Sequence, residues 1–385
     1  MPKNNAVWFC GWFPSTENSL AGNFIHRHAQ AVGAQFPVTV VHFAPYLIGS
    51  PKPKALDIAY TFQIEFKAIP QFSMKFLKPL NWLMYYGMVL VFSLRILRKI
   101  SPKIVHIHAA DKVGIVAVCL KPIFRYSLYL TEHWAIFNES VNDRYSKRNL
   151  WFRWTFKKVW KNTDWVASIS QSMYRAMEQN YAISRPFLHF PNVLDPVFVG
   201  LPIQEFSDQS PFRFLHVSNF EPRKNVPQII DAFLSLKKEI PNIELWLLGG
   251  AQSPDFPANQ GIVYFPPRTM PELVPIYQQC KALVMYSSSE NAPCVISEAQ
   301  AFGMPVISSD VGSITEMVNE EQGIILPYKS EKNQQIADLE QAMRQLCLNY
   351  SQFSHKTIQL HALGCYSPEF AIHSLLNSYN QTCAE

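Results

Sequence analysis

Short, largely apolar runs recur along this chain at 6–9, 38–43, 104–108, 128–131 and 165–169, and again at 212–217, 244–248, 262–265, 282–285 and 306–308. Runs of that length without polar alternation predict strands buried on both faces, as in a parallel sheet. Between them lie stretches whose apolar positions follow a helical spacing: 24–32, 113–120, 173–179, 226–238, 273–279 and 295–301. Strands alternating with helices predict an α/β protein. A polar, proline-bearing stretch interrupts the alternation. The expected organisation is a first domain over 1–195, a linker over 196–211, a second domain over 212–367 and a helical tail over 368–385.

The segment 282–317 is the most sharply defined unit, reading strand, loop, helix, strand. Its loop ends at Glu290, and its helix opens near Val295 and closes at Gly303 and Pro305. In such sheets ligands bind outside the carboxyl ends of the strands, where a loop hands over to a helix N-terminus. Seven residues separate Glu290 from Glu298. On one continuous helix that step spans roughly 12 Å, too far for a retaining glycosidase pair at about 5–5.5 Å. Glu290 therefore ends the loop and Glu298 sits one turn into the helix, so that the two grip different parts of one elongated ligand. The backbone of Asn291, Ala292, Cys294 and Val295 offers N–H groups to an anion between them. Pro293 removes one donor from that cradle.

A carboxylate, seven residues, a second carboxylate and then A-x-A-x-G-x-P-V-I resembles the signature of the retaining glycosyltransferases of family 4. The resemblance implies the GT-B fold: two Rossmann-like, doubly wound parallel-sheet domains facing across a cleft, with a C-terminal helix that crosses back to the first domain. It implies that Glu298 binds the ribose of a nucleotide sugar and that Glu290 binds hydroxyls of the donor hexose. This loop reads Glu290-Asn291-Ala292-Pro293 where the commoner family form is Glu-Gly-Phe-Gly. The family's V-G-R-L-x-x-x-K-G motif, whose Arg and Lys clamp the donor diphosphate, is matched at Lys224, with Ser218 and Asn219 in place of Gly and Arg. Asn cannot supply a guanidinium's charge, and Arg223 is the candidate to replace it. A lysine at a helix start opposes the helix dipole, so an anion is expected beside Lys224. FLHFPNVLD at 187–195 resembles the family's hinge into the second domain.

In the first domain, Gly11 permits a tight turn after the first strand, and Gly22 and Asn23 stand where a helix begins. The resemblance places that turn near the donor phosphates and the acceptor. LTEHW sets His133 at a strand end, in the position of the family's sugar-contacting histidine. His106 and His108 share one face of a strand. No third ligand follows at a matching spacing, so no metal site is expected.

Charge divides the chain. Residues 1–200 carry 23 Lys+Arg and 10 Asp+Glu, hence +13; the remainder carries 34 − 23 = 11 basic and 29 − 10 = 19 acidic, hence −8. A cationic first domain suggests an anionic surface as partner, and no finger, RNP or helix-turn-helix pattern points to nucleic acid. Residues 74–99 are the most apolar stretch, with Trp82, Tyr85 and Tyr86 between basic flanks. The uncharged run within it falls short of the ~20 residues of a membrane span, so a buried or interfacial helix is expected. Residues 144–161 interleave Lys and Arg with Trp151, Trp154 and Trp160, the composition of a helix that adheres to membranes. Seven cysteines, odd in number and without a C-x-x-C pair, read as reduced thiols. The start passes straight into a strand, so no secretory signal is expected.

The sequence thus predicts a metal-independent, retaining hexosyltransferase. It would use a UDP- or GDP-sugar and no cofactor, and act on a lipid-linked saccharide acceptor in cell-surface polysaccharide biosynthesis. It would be cytoplasmic and attached peripherally to the membrane. Lys224, Glu290 and His133 are the expected catalytic residues. The alternatives are a GT-B sugar-nucleotide epimerase, a glycogen-type phosphorylase with a lysine-bound pyridoxal cofactor, and a non-catalytic, membrane-associated assembly protein.

Overall fold

The computed structural model describes residues 4–19, 21–110, 112–137, 144–207, 209–250, 252–257 and 260–384. The chain forms two compact units, one of Met1–Val193 with Ala371–Glu385 and the other of Leu194–Phe370.

In the first unit the strands are β1 (Ala6–Cys10), β2 (Val38–Leu47), β3 (Gln63–Gln71), β4 (Ile104–His108), β5 (Ser127–Thr131), β6 (Trp165–Ser168) and β7 (Phe187–His189). They make one parallel sheet in the order β3-β2-β1-β4-β5-β6-β7. The helices are α1 (Asn23–Gly33), α2 (Lys78–Ile100), α3 (Val113–Phe124), α4 (Leu150–Asn162) and α5 (Gln171–Tyr181). Every residue of β1 and β4 is buried, the two histidines of β4 included. Strand order reverses direction between β1 and β4, where Cys10 pairs with His108. That is the topological switch point at which such sheets bind ligands.

Two helices differ from expectation. The apolar stretch forms α2 over 23 residues, about 34 Å at 1.5 Å per residue, because the helix continues through Arg95, Arg98 and Lys99. By length and composition Lys75–Ile100 is sufficient to cross a membrane, though a third of its apolar window is buried in the protein. The basic, aromatic stretch divides at Arg148 and Asn149. Asn149 caps α4 by accepting from the Phe152 N–H.

The second unit contains β8 (Phe212–Val217), β9 (Ile243–Leu248), β10 (Ile262–Phe265), β11 (Ala282–Met285), β12 (Val306–Ser309) and β13 (Gly323–Leu326). They lie in the order β10-β9-β8-β11-β12-β13, again all parallel. Here the helices are α6 (Val226–Glu239), α7 (Met270–Tyr277), α8 (Cys294–Ala301), α9 (Ile314–Met317), α10 (Lys332–Leu348) and α11 (His355–Tyr366). One face of the sheet packs on Leu273, Ile276 and Ile296 and the other on Ile229, Phe233 and Leu339. The switch point lies between β8 and β11. Residues of the expected linker are not loose: Phe198 is fully buried in this unit's core. After α12 (Pro368–Ala371), α13 (His373–Ala384) returns to the first unit, where Leu375 and Tyr379 join its core.

Candidate active site

At the end of β8 the chain turns through Ser218 and Asn219 into a short 3-10 turn, Pro222–Lys224, and then α6. His216 fixes the start of this turn. Its Nδ1 lies 2.9 Å from the Val284 carbonyl and its Nε2 lies 2.8 Å from Ser218 Oγ. A carbonyl only accepts, so Nδ1 carries the proton and Nε2 accepts from the serine hydroxyl. Burial pushes His216 down to about 4, opposed by the bond to Val284 and reinforced by the Lys224 charge. Asn219 is exposed, and its Oδ1 accepts from the Glu221 N–H at 3.4 Å. It closes the turn and adds no charge where the family's Arg would stand. Asn225, in the left-handed region at φ 49°, donates from Nδ2 to the Tyr286 carbonyl and ties the turn to β11's exit.

Lys224 is buried, a state a lysine keeps only with a partner. Its ammonium contacts Glu290 Oε1. The same oxygen lies 3.4 Å from Arg223 Nη1, which also donates to the Ser289 carbonyl at 3.0 Å. The Arg223 Nε donates to Glu221 at 2.8 Å. The anion expected beside Lys224 is thus Glu290 itself, and Arg223 brings its guanidinium to that carboxylate. The Ser288 N–H donates to the Arg223 carbonyl at 2.8 Å, locking the two loops together.

Glu290 and Asn291 are held from behind by the turn after β12. Gly312 has φ +65°, and a Cβ there would sit 2.1 Å from the Glu290 carbonyl oxygen. The Ser313 N–H donates to the Asn291 carbonyl at 2.9 Å. Pro293 occupies the N-cap of α8 without a side-chain cap, and Cys294 and Val295 are the first residues of the helix. Ala292 precedes them, half-buried. Glu298, one turn along, is buried and accepts from the Tyr277 hydroxyl at 3.1 Å. The two glutamates therefore face different groups: Glu290 faces two cations and Glu298 faces a phenol. Sequence reasoning missed His216, Gly312 and Tyr277, which reach the site only through packing.

In the first unit the predicted residues gather at its own switch point. The Gly11 N–H donates to the His108 carbonyl at 2.8 Å. Gly22 is the N-cap of α1 at φ +66°, where a Cβ would lie 2.8 Å from the Trp12 backbone. Asn23 is the first helical residue rather than the cap. His133 Nε2 lies 3.2 Å from His108 Nδ1, with the rings stacked 5.5 Å apart. The buried Glu132 carboxylate accepts from the N–H groups of Ala110, His133 and Trp134, fixing the loop that carries His133.

A histidine from outside the strand joins His108 and His133. α1 delivers His28, so that His28, His108 and His133 place ring nitrogens within 4.8 Å of one another. Spacing along one strand could not reveal a ligand supplied by a distant helix. Burial holds all three well below the ordinary imidazole range, His28 at about 4, so the trio is neutral at pH 7. Three neutral imidazoles are a donor set for a transition metal, and the His108–His133 contact equally makes them a hydrogen-bonded polar core. The same unit holds a cavity of about 510 Å³, lined by Gly11, Trp12, Phe13, His42, Tyr46 and Lys112 among others. A larger cavity, about 700 Å³, lies in the second unit between β13 and the last helices and touches none of the predicted site residues.

Residues 202–358, nearly the whole second unit, match the family described as glycosyl transferases group 1. They form a glycosyl transferases group 1 domain. Glycosyl transfer is the activity of this family, and the glutamates and Lys224 of the group 1 domain are the residues gathered at its switch point. No curated protein sequence matches the chain. Among solved structures it is similar to sucrose-phosphate synthase from Thermosynechococcus elongatus, at TM-score 0.73 and 16% identity over 99% of each chain. It is similar also to the apo form of the lipopolysaccharide outer core galactosyltransferase WaaB, at TM-score 0.71 and 15% identity over 98% of this chain and 99% of that one. Anabaena Alr3699/HepE in complex with UDP-glucose gives TM-score 0.70 and 15% identity over 98% and 99%. At these identities the likeness establishes the fold, GT-B, with the group 1 domain as its second half.

Proposed function

We propose that this protein transfers a hexose from a UDP- or GDP-sugar to a saccharide acceptor with retention at the anomeric carbon. The observation that carries the reading is the Lys224–Glu290–Arg223 cluster at the switch point, followed by Glu298 in the first turns of α8. A diphosphate entering there takes the Lys224 ammonium and the N-terminus of α8, which releases Glu290 to accept from hexose hydroxyls. Glu298, steadied by Tyr277, accepts from the ribose. As the glycosidic bond breaks, Lys224, Arg223 and the helix N-terminus stabilise charge on the leaving diphosphate, so these groups do the work of a divalent cation. The leaving phosphate oxygen takes the acceptor's proton on the face it vacates, which gives retention without an enzymatic nucleophile. HepE's complex with UDP-glucose makes UDP-hexoses the first donors to test.

The acceptor enters the first unit, whose cavity is lined by Trp12 and Tyr46, which suit sugar rings, and by Lys112, which suits an anionic group. The excess positive charge of that half suits a lipid-linked saccharide on the cytoplasmic face of a membrane, as an intermediate of a cell-surface polysaccharide. Calorimetric titration with UDP and GDP tests the donor assignment. Glu298→Ala is expected to weaken nucleotide binding about 10- to 100-fold, the value of hydrogen bonds to a charged acceptor. Glu290→Ala frees Lys224 and is expected to hold or strengthen UDP affinity while abolishing most transfer. Equal losses of affinity in both variants would overturn the division of roles.

A further inference from the structure

We propose that α2 and α4 together form a docking face for an anionic lipid bilayer. Both helices pack on α3, and each spends only one stripe on that contact. In α2 the stripe is Tyr85, Val89, Ser93 and Leu97, which leaves Trp82, Leu83, Leu90 and Val91 pointing out. In α4 it is Phe156, Val159 and Trp160, which leaves Leu150, Trp151 and Trp154 exposed. Leu150 is 80% exposed and Leu83 64%. The tryptophans form one surface cluster, with Trp82 and Trp151 rings 5.7 Å apart and Trp151 and Trp154 rings 5.1 Å apart. An apolar cluster of this size on a protein surface marks an interaction site.

Charge selects the occupant. Neither helix contains an acidic residue. Exposed Lys75 and Lys78 lie at the start of α2, and Arg153, Lys157, Lys158 and Lys161 along α4. Tryptophan within a rim of Lys and Arg, beside protruding leucines, is the chemistry of the interface between headgroups and acyl chains. A nucleic acid would satisfy the cations but leave Leu83 and Leu150 in water. The length of α2 does not make it a span here, because Val89, Ser93 and Leu97 are fully buried in the first unit. Leaving for the bilayer would open that core, so the helix lies along the membrane plane.

The test is sedimentation with vesicles of equal parts phosphatidylglycerol and phosphatidylcholine, against pure phosphatidylcholine, with tryptophan quenching by brominated lipid. Wild-type protein is expected to bind the anionic vesicles, with quenching, and to dissociate as salt rises. The triple variant Leu150→Ser/Trp151→Ser/Trp154→Ser is expected to lose at least 10-fold in vesicle affinity with an unchanged melting curve and unchanged UDP titration. Lys157→Gln/Lys158→Gln/Lys161→Gln is expected to lose the preference for anionic lipid. Unchanged binding by the serine variant, no binding by wild type, or unquenched tryptophans would overturn the docking face. A protein that binds vesicles but neither UDP nor GDP would instead overturn the donor assignment alone.

Discussion

Gly312→Ala separates the position of Glu290 from the stability of the fold. Gly312 has φ +65°, and the new methyl would lie 2.1 Å from the Glu290 carbonyl oxygen, a backbone atom that cannot rotate away. Relieving the contact needs about 1 Å of displacement in a close-packed loop. A left-handed alanine costs about 1–2 kcal/mol by itself. Gly200 isolates that cost, since it has φ +75° and a methyl added there would meet nothing within 4 Å. Gly200→Ala is therefore expected to lower stability by about 1 kcal/mol and leave activity alone. Gly312→Ala is expected to lose a similar or larger amount of stability and roughly 100-fold in kcat, the typical effect of a 1 Å misplacement. Urea unfolding and donor turnover over a panel of UDP- and GDP-hexoses measure the two quantities. If both alanines cost the same stability and Gly312→Ala keeps turnover within about threefold, the Glu290 loop is not what aligns the donor.

Tyr277→Phe removes the hydroxyl that donates to Glu298 and is expected to raise the UDP Kd about 10-fold, roughly 1.4 kcal/mol, with little change in kcat at saturating donor. Calorimetry showing wild-type affinity would mean that Glu298 is oriented by other contacts. His216, held at about 4 by burial, stays neutral in the fold while the unfolded chain takes up a proton near 6.5. Its contribution is present above pH 6.5 and lost as pH falls toward 4, about 3 kcal/mol in all. Unfolding midpoints measured across that window should fall less steeply for His216→Gln, and parallel curves would contradict the neutral assignment.

Much of the architecture is written in local pattern. Fully buried strands such as β1 and β11 appear as unbroken apolar runs because both faces meet helices. β3 escapes that logic: QIEFKAIPQ carries Glu65, Lys67 and Pro70, which an edge strand tolerates and a buried one does not. β13 is four residues long, and α10 is largely polar, with Leu339, Ala342, Met343 and Leu346 the apolar residues among its buried positions. The loop from Glu290 to Glu298 and the lysine at 224 were legible because each motif is contiguous. The bond from Tyr277 to Glu298, the pressure of Gly312 on Glu290 and the approach of His28 to His108 join residues far apart in sequence. No spacing rule encodes them, since they are consequences of the strand order.

The return of α13 to the first unit fixes the timing of folding as well as its outcome. Tyr379 donates or accepts at 2.5 Å from His106 Nδ1 and packs among the side chains beneath β1 and β4. On the ribosome the N-terminal sheet therefore waits, with this hollow unfilled, until the whole of Leu194–Phe370 has been synthesised. The later-made half is contiguous and can mature first, so a nascent chain carries an apolar breach near its beginning that chaperones are placed to shield. Termination between Phe370 and Tyr379 would release a polypeptide whose second unit is complete and whose first unit is not.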